Sequence, residues 1–363
     1  MKRKTRTQGS FMKNVVILMF SQIIIKIVGL IYKLYLTNKE GFGDKGNAIY
    51  SAGFQIYALL LTLSSIGVPN AISSLVSSKL AIGDNRGAHR IFKIAFAIFG
   101  VIGFACSCVL FFFAENIACN YLEIPEAEMS LIALSPSIFI VSVASVLRGY
   151  FNGRENISVT ANSQSWEQVL KTITTIVIVE IISYISNKNT VLMAAGATIA
   201  TTLATTFSMI YLFAYYIKHK KEVWKDVVLS TNYKREGIRK IIKNILAVSV
   251  PISLGALLSV TNKTIDAFTV VKIAKQFLGE ETATIQYGIL SGKIETLITL
   301  PFSFNIAFAT TLVPTIAASI AKGDIITAEK RIKFSTLLSM LIRIALRIYY
   351  VHFCWTHIKT IIS

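Results

Sequence analysis

Nine lysine, aspartate and glutamate side chains lie within long apolar stretches of this 363-residue sequence, apart from its last 21 residues. A charged group at the centre of a membrane costs about 2.5–3.5 kcal/mol, so each of them is a candidate functional residue. A base in such a place can bind an anion, and an acid can bind a cation or a proton. The structural alternatives are an ion pair and a side chain that reaches the membrane surface. The nine residues are Lys26, Lys33, Glu167, Lys171, Glu180, Lys263, Asp266, Lys293 and Glu295.

Lys26 is the base that lies deepest in its apolar stretch. It is about twelve residues from either end, or ~18 Å along a helix axis, which is beyond comfortable reach of the membrane surface. On a helix it shares one face with Gln22, Gly29 and Lys33. We therefore predict that Lys26 contacts a substrate, with a structural ion pair as the alternative. Lys33 lies nearer the outer end, so substrate binding and reaching the surface are equal alternatives for it.

The other candidate residues lie in three further apolar stretches. Lys263 and Asp266 are three residues apart and can neutralise one another along a helix. Glu167 and Lys171 are four residues apart, in the order that favours an ion pair, and form either a structural pair or a gate. We predict Lys263 and Lys293 as further substrate-binding bases. The candidates for ion coupling or gating are Asp266, Glu295, Glu167 and Lys171.

Long apolar helices must position these charges. Hydrophobic residues make up 53% of the chain and charged residues 15%, against about 25% charged residues in soluble domains. Apolar runs of roughly twenty residues or more can cross ~30 Å of hydrocarbon. We predict an all-α, polytopic membrane bundle of about nine helices, in which the long second and eighth segments are broken or extend beyond the bilayer. The predicted spans are 14–36, 48–78, 91–113, 129–149, 158–185, 190–217, 241–268, 284–320 and a ninth from 334.

The net charge of +18 is concentrated on one side of the predicted membrane. With the N-terminus inside, the cytoplasmic segments hold 24 of the 37 lysines and arginines. The loops on the other side hold five of them beside eight acids. This is the positive-inside pattern of a multi-pass membrane protein with a cytoplasmic N-terminus. It favours contact with anionic lipid headgroups and argues against nucleic-acid binding.

The sequence lacks the motifs of a membrane enzyme or an ATPase. "SGK" at 291–293 does not match a phosphate-binding loop, so we expect no ATP binding. Cys106 and Cys108 are too closely spaced for a zinc ribbon, and the four histidines have no metal-ligand spacing. The largest predicted loop, 218–240, is basic and carries three acids without the spacing of a metal or nucleotide site. We therefore predict no cofactor, no metal and no enzymatic activity.

Two short segments repeat one pattern 240 residues apart. "AIGDNRGAHRIFK" occupies 81–93 and "AKGDIITAEKRIK" occupies 321–333. Gly83 and Gly323 can each end a helix in the left-handed conformation. The aspartate that follows each glycine can cap a short amphipathic helix whose basic residues face the headgroups. Six predicted crossings separate the two copies, so both lie on the same side of the membrane and the halves form a parallel repeat.

Three longer stretches carry a family resemblance: "LLLTLSSIGVPNAISSLVSSKLAIGD" (59–84), "RGYFNGRENISVTANSQSWEQ" (148–168) and "LPFSFNIAFATTLVPTIAASIAKGD" (300–324). They resemble the stage V sporulation protein B-like group of polysaccharide biosynthesis proteins. This group belongs to the multidrug/oligosaccharidyl-lipid/polysaccharide exporter superfamily, to which lipid II flippases also belong. The resemblance implies two six-helix lobes around a central cavity in a bacterial cell membrane. It implies alternating-access translocation of undecaprenyl-pyrophosphate-linked sugars for peptidoglycan, spore cortex or polysaccharide. An ion-coupled drug or cation exporter of the same superfamily is the alternative.

The resemblance also suggests a ligand for the candidate bases. "KIVGL" at 26–30 matches the place where lipid II flippases carry an arginine, here Lys26. Lys293 lies about a turn before the place of a second such arginine. We expect Lys26, Lys263 and Lys293 to hold the pyrophosphate in the low-dielectric interior, while the prenyl tail stays in lipid. The candidate flexure points for rocking of the lobes are Pro69, Pro301 and Pro314.

The resemblance covers roughly residues 10–342 and implies three parts, followed by a tail that departs from the family. Since the relatives have more helices than are predicted here, we expect the second lobe to be incomplete. The tail places Arg343 and Arg347 where the ninth span should continue, and we interpret it as the product of a frameshift. The expected parts are a first six-helix lobe at 1–217, a basic cytoplasmic linker at 218–240, a partial second lobe at 241–342 and the tail at 343–363.

Overall fold

The computed structural model describes residues 31–230, 236–291 and 323–337, together with residues 24, 25, 27–29, 312, 316, 317, 319, 320, 339–341 and 344. All regular structure in this part of the chain is helical, which confirms the predicted all-α fold. Six helical segments are long and apolar enough to cross a membrane, as expected for a multi-pass membrane protein.

The helices follow one another through short connections. Two π-helical turns cover Thr62–Ile66 and Ile117–Tyr121, and a 3₁₀ turn covers Pro125–Ala127. The predicted spans from the second to the seventh each coincide with helices of this series. The helices are α1 (31–38), α2 (Gly43–Leu61), α3 (Val68–Ala81), α4 (Asn85–Phe112), α5 (Ala114–Asn116), α6 (Glu128–Gly153), α7 (Ile157–Ile185), α8 (Thr190–Val228), α9 (Ile238–Leu278), α10 (Glu280–Ile289) and α11 (325–337).

The second span is broken, as its length predicted. α2 ends at Leu61, the first π turn follows, and α3 begins with Pro69 in its first turn. Proline is tolerated there because its missing N–H has no partner in a first turn. The Thr62 hydroxyl donates to the Ala58 carbonyl at 2.7 Å, beside the π turn. The helical hydrogen-bond pattern therefore changes within the span, close to Pro69.

The bundle has an acidic end and a basic end. At the acidic end the Thr190 hydroxyl donates to the Gly41 carbonyl at 2.6 Å, so two connections touch there. At the basic end Arg154 and Asp226 form an ion pair at 2.7 Å. The acidic end holds the connections 39–42, 113–127 and 186–189, and the basic end holds 82–84, 154–156, 229–230 and 236–237.

The repeated Gly-Asp pattern has the same local structure in both copies. Gly83 has φ +84° and Gly323 has φ +77°, so both take up the left-handed conformation that was predicted. The side chain of Asp84 accepts a hydrogen bond from the backbone N–H three residues on at 2.8 Å, and that of Asp324 does so at 3.1 Å. The predicted caps are thus confirmed. However, the helix capped by Asp84 is α4, which crosses the membrane, and not a short amphipathic helix, because apolar residues follow its basic first turns without a break.

Most of the predicted basic loop is helical. Residues 218–228 continue α8, which ends at Val228, and α9 begins at Ile238. Lysine and glutamate have high helix propensity, which favours this continuation. Val223 and Val227, one turn apart, are also buried at the basic end and bind this part of α8 to the bundle.

The helices beyond the first six spans pack directly on the first lobe. Ile241 and Ile245 of α9 join the buried apolar cluster at the basic end. Ala267 and Val271, further along α9, join the cluster at the acidic end, as does Tyr287 of α10. α9 therefore lies along the whole height of the bundle.

Candidate functional site

The structure describes five of the eight predicted site residues. Lys26, Lys293 and Glu295 lie outside the described residues. The Lys33 ammonium donates to the Ser291 carbonyl at 3.3 Å and so joins α1 to the residues that follow α10. This contact links the first lobe to the helices beyond it, and substrate binding by Lys33 stays a prediction.

Lys263 and Asp266 lie three residues apart on α9. Lys263 is half-buried, whereas Asp266 is exposed. Their mutual neutralisation, binding by Lys263 and ion coupling by Asp266 all stay predictions.

Lys171 lies at the midpoint of α7 and faces aromatic rings. It is fourteen residues from each end of this 29-residue helix, or ~21 Å along the axis at about 1.5 Å per residue. Its ammonium lies 5.0 Å from the centre of the Phe54 ring, 5.3 Å from that of Tyr32 and 5.8 Å from that of Tyr50. These distances are those of cation–π interactions, which stabilise a cation without neutralising it. α1, α2 and α7 thus build an aromatic pocket around a lysine at mid-membrane depth.

Glu167 does not pair with Lys171, contrary to the expected i, i+4 pair. Its carboxylate accepts a hydrogen bond from the Arg148 guanidinium on α6 at 2.6 Å. The same guanidinium donates to the Ser208 hydroxyl at 2.8 Å and to the Ser163 hydroxyl at 3.3 Å. Arginine competes well for this carboxylate because several of its N–H groups find partners at once. Glu167 is therefore held by another helix and not by its neighbour on α7.

The sequence interpretation missed Arg148 by placing it in a cytoplasmic loop. The residue is 9% exposed and lies inside the bundle, since α6 continues to Gly153. Added Cβ atoms on Gly149 and Gly153 would lie 2.9 Å from backbone atoms of Pro69 and 2.8 Å from Val76, so α6 packs closely against α3 here. This close packing draws Arg148 inward. A signal was present, because the motif 148–168 contains both Arg148 and Glu167.

In the described interior of the bundle, Arg148 and Glu167 balance one another, whereas the Lys171 ammonium faces aromatic rings. Among the residues that the structure describes, no carboxylate lies within ion-pairing distance of Lys171. Glu180, a fourth predicted intramembrane acid, lies far along α7 at the acidic end and pairs with Lys39 at 2.5 Å. The interior charge near Lys171 is positive, which suits an anionic ligand.

No metal or redox site is found in the described part of the chain. No group of three or more histidine, cysteine, aspartate or glutamate side chains could hold a metal ion among these residues. Cys106, Cys108 and Cys119 are free thiols, and the first two are half-buried.

Two glycines bring α9 and α10 against the second span. A Cβ on Gly67 would lie 2.3 Å from the Ser249 carbonyl oxygen of α9. A Cβ on Gly288 of α10 would lie 2.2 Å from the Asp44 carbonyl oxygen. Only glycine permits such backbone contact. These are the two surfaces that must separate or slide if the first lobe moves against the helices beyond it.

The chain matches known proteins over most of its length. The sequence model described as polysaccharide biosynthesis protein matches residues 11–319. Stage V sporulation protein B of Bacillus subtilis (strain 168) is 27% identical over 342 residues, which cover 92% of this chain and 63% of the relative. The lipid II flippase MurJ of the same organism is 23% identical, and the alignment covers 87% of this chain and 59% of the flippase. The chain thus spans about three fifths of the length of these curated relatives.

Solved structures share the fold. A multidrug resistance MATE family transporter of the MOP superfamily, in an outward-facing conformation, aligns with a TM-score of 0.72 at 17% identity, covering 97% of this chain and 74% of the transporter. A MOP superfamily transporter from Pyrococcus furiosus aligns with a TM-score of 0.63 at 18% identity. The alignment covers 97% of this chain and 74% of the transporter. At these identities the similarity shows a common fold. The predicted helical-bundle fold is confirmed.

Proposed function

Because the chain belongs to the polysaccharide biosynthesis protein family, we propose that it moves undecaprenyl-pyrophosphate-linked sugars across the bacterial cell membrane. The sugars would serve peptidoglycan, spore cortex or another polysaccharide. The two relatives, a sporulation protein and a lipid II flippase, support this assignment.

One observation carries the proposal. Lys171 is an ammonium at mid-membrane depth that three aromatic rings surround and no described carboxylate neutralises. An unbalanced charge at this depth is costly, so a bundle that served only structure would gain by losing it. A pyrophosphate group needs such a cation while it crosses a low-dielectric region. Lys171 supplies it from the first lobe.

The lobes would act by alternating access. The sugar pyrophosphate enters between the lobes while the prenyl tail remains in lipid. Lys33 and Lys263, and the undescribed Lys26 and Lys293, are further candidate ligands for the phosphates. Asp266 and Glu295 remain candidates for ion coupling. The contacts of Gly67 and Gly288 would open in turn as the lobes rock, with the break next to Pro69 as a flexure point.

The basic end is assigned to the cytoplasm and the acidic end to the outside. Lysines and arginines are retained on the cytoplasmic side of membrane proteins. With this orientation the N-terminus is cytoplasmic, and the basic first turns of α4 can contact anionic headgroups. The cargo would then load at the basic end, where it is synthesised, and leave at the acidic end.

The unbalanced Lys171 also argues against the alternative exporter of drugs or cations. A cationic cargo would meet repulsion at this pocket, because like charges at close range in a low dielectric repel strongly. A cation exporter would require a free carboxylate in its place. In the described part of the first lobe, Glu167 is instead held by Arg148.

The proposal is tested by lipid movement in vesicles. The chain is reconstituted with a fluorescent undecaprenyl-pyrophosphate-linked sugar, and a membrane-impermeant quencher reports the label in the outer leaflet. We expect rapid lipid movement with the natural chain. With Lys171→Gln the rate should be at least about tenfold lower, since removing a charged partner in a buried site weakens binding strongly. Movement no faster than in protein-free vesicles would contradict the proposed function.

Lys188→Gln is the matched control for this experiment. Lys188 forms an exposed ion pair with Glu40 at 2.6 Å and lowers the pKa of that carboxyl by donating a hydrogen bond to it. The substitution removes the same charge and side chain as Lys171→Gln, but at the surface of the acidic end. We expect transport by this variant to equal that of the natural chain, because exposed ion pairs contribute little.

A further inference from the structure

Arg148 and Lys171 stand near the same carboxylate, but only Arg148 holds it. Glu167 and Lys171 are one turn apart on α7, and side chains at this spacing have Cβ atoms about 6 Å apart. Glu167 is thus within reach of Lys171. It is turned instead to Arg148 at 2.6 Å, and Tyr57 lies near both Glu167 and Lys171. Lys171 lacks a counter-charge because Glu167 pairs with Arg148, and not because Glu167 is too far away along the chain.

The guanidinium that holds Glu167 is itself fixed in place. Ser163 and Ser208 accept two further hydrogen bonds from it at 3.3 and 2.8 Å, and Ser208 in turn donates to the Ser163 carbonyl at 3.3 Å. Arginine stays charged at any physiological pH and presents its donors in a rigid fork. It is therefore a durable partner for a carboxylate that would otherwise turn to Lys171.

The aromatic pocket contains a second group that suits an anion. The Tyr50 ring lies 5.8 Å from the Lys171 ammonium, and the tyrosine is 4% exposed. Its buried hydroxyl faces the Lys171 ammonium and the side chains of Tyr32 and Thr201, but in a geometry poorer than that of an ordinary hydrogen bond. A ligand oxygen that offers a well-aligned hydrogen bond would therefore be favoured there. A cation and a hydroxyl donor side by side match an oxyanion with several acceptor oxygens.

We propose that Lys171 and Tyr50 form a subsite for one phosphate of the cargo, and that Arg148 is the positioning residue that keeps this subsite open. Arg148 does so by holding Glu167 away from Lys171. Without it, Glu167 would pair with Lys171 and occupy the place of the phosphate as an internal anion. This inference rests on the proposed function and assigns the part of the site that recognises the anionic head.

The test compares binding of undecaprenyl pyrophosphate with binding of undecaprenol, which has the same tail and no phosphate. The variants are Arg148→Gln, Glu167→Gln and the double variant, each checked for a monodisperse fold in detergent. We expect Arg148→Gln to weaken undecaprenyl pyrophosphate binding about tenfold, within the range for coupled charges. Glu167→Gln should bind at least as tightly as the natural chain. The double variant should recover binding to within about threefold, since no carboxylate then competes.

The double variant alone decides the inference even if Arg148→Gln does not fold. It replaces the ion pair by two neutral amides of similar shape, which keeps the site filled. Binding by the double variant that is tenfold weaker than that of the natural chain would overturn the inference, because Arg148 would then act directly or only through the fold. The inference would also be overturned if Arg148→Gln bound undecaprenyl pyrophosphate as tightly as the natural chain does. If the natural chain does not prefer undecaprenyl pyrophosphate to undecaprenol, the proposed function itself fails.

Discussion

Two polar sites one helical turn apart on α7 differ in how their charges are balanced. The Glu167 carboxylate is bound by Arg148 at 2.6 Å, and two serine hydroxyls complete the hydrogen bonds of the guanidinium. The Lys171 ammonium faces three aromatic rings and, among the described residues, has no carboxylate partner. Both sites lie in the same apolar bundle, so their depth does not explain the difference. A balanced pair can serve packing, whereas an unbalanced cation indicates a ligand.

The comparison predicts opposite effects on stability. Arg148→Met should lower the free energy of unfolding by about 3 kcal/mol, because it leaves Glu167 buried without its partner. This is the low end for a broken buried pair, since the Glu167 side chain is 25% exposed. Lys171→Met should raise the free energy of unfolding by about 1 kcal/mol, because it removes an uncompensated, half-buried charge at the loss of cation–π contacts. Thermal unfolding in detergent measures both.

The decisive result of that experiment is whether Lys171→Met raises or lowers the free energy of unfolding. A stabilised variant that no longer binds undecaprenyl pyrophosphate would mean that Lys171 is kept for function at a cost in stability. A fall in the unfolding temperature as large as that of Arg148→Met would show that both sites are structural. The proposed difference between a structural Glu167 site and a functional Lys171 site would then be wrong.

A second comparison concerns two glycines in apolar helical segments. Gly67→Ala would place a methyl group 2.3 Å from the Ser249 carbonyl oxygen, so α9 must move away from the second span. We expect a loss of about 1–3 kcal/mol, as for overpacking in a core, together with slower transport. Gly100→Ala is the control, because nothing lies within 4 Å of a Cβ at that position on α4. Alanine should stabilise it by about 0.5–1 kcal/mol, through helix propensity.

The two glycine variants are compared by thermal unfolding and by the vesicle assay. Equal unfolding temperatures for Gly67→Ala and Gly100→Ala would contradict the close contact between the second span and α9. A destabilised Gly67→Ala chain with natural transport would instead show that this contact supports the fold without taking part in movement of the lobes.

Patterns that are local in sequence could be predicted well. The spans follow from apolar runs, and the break in the second span follows from its length. The turns at Gly83 and Gly323 follow from a glycine that permits positive φ and an aspartate that caps the next helix. Each of these depends on residues within a few positions of one another, so no knowledge of packing is required.

The partner of Glu167 could not be predicted in the same way. Along α7 the nearest base is Lys171, and helical spacing alone favours that pair. The competing base, Arg148, is nineteen residues away on another helix and reaches Glu167 only because α6 packs closely on α3. The helical continuation of α8 through 218–228 was missed for a similar reason, since polar residues suggested a loop and the burial of Val223 and Val227 was not visible.

The most direct measurement is the equilibrium binding of undecaprenyl pyrophosphate, relative to undecaprenol, by the natural chain, Lys171→Gln and Lys171→Arg. We predict that the natural chain prefers the pyrophosphate by about tenfold or more, since a charge-assisted contact in a buried site is strong. Lys171→Gln should lose this preference, and Lys171→Arg should recover part of it by restoring the charge. An unchanged preference in Lys171→Gln would contradict a role for Lys171 in holding the anionic head.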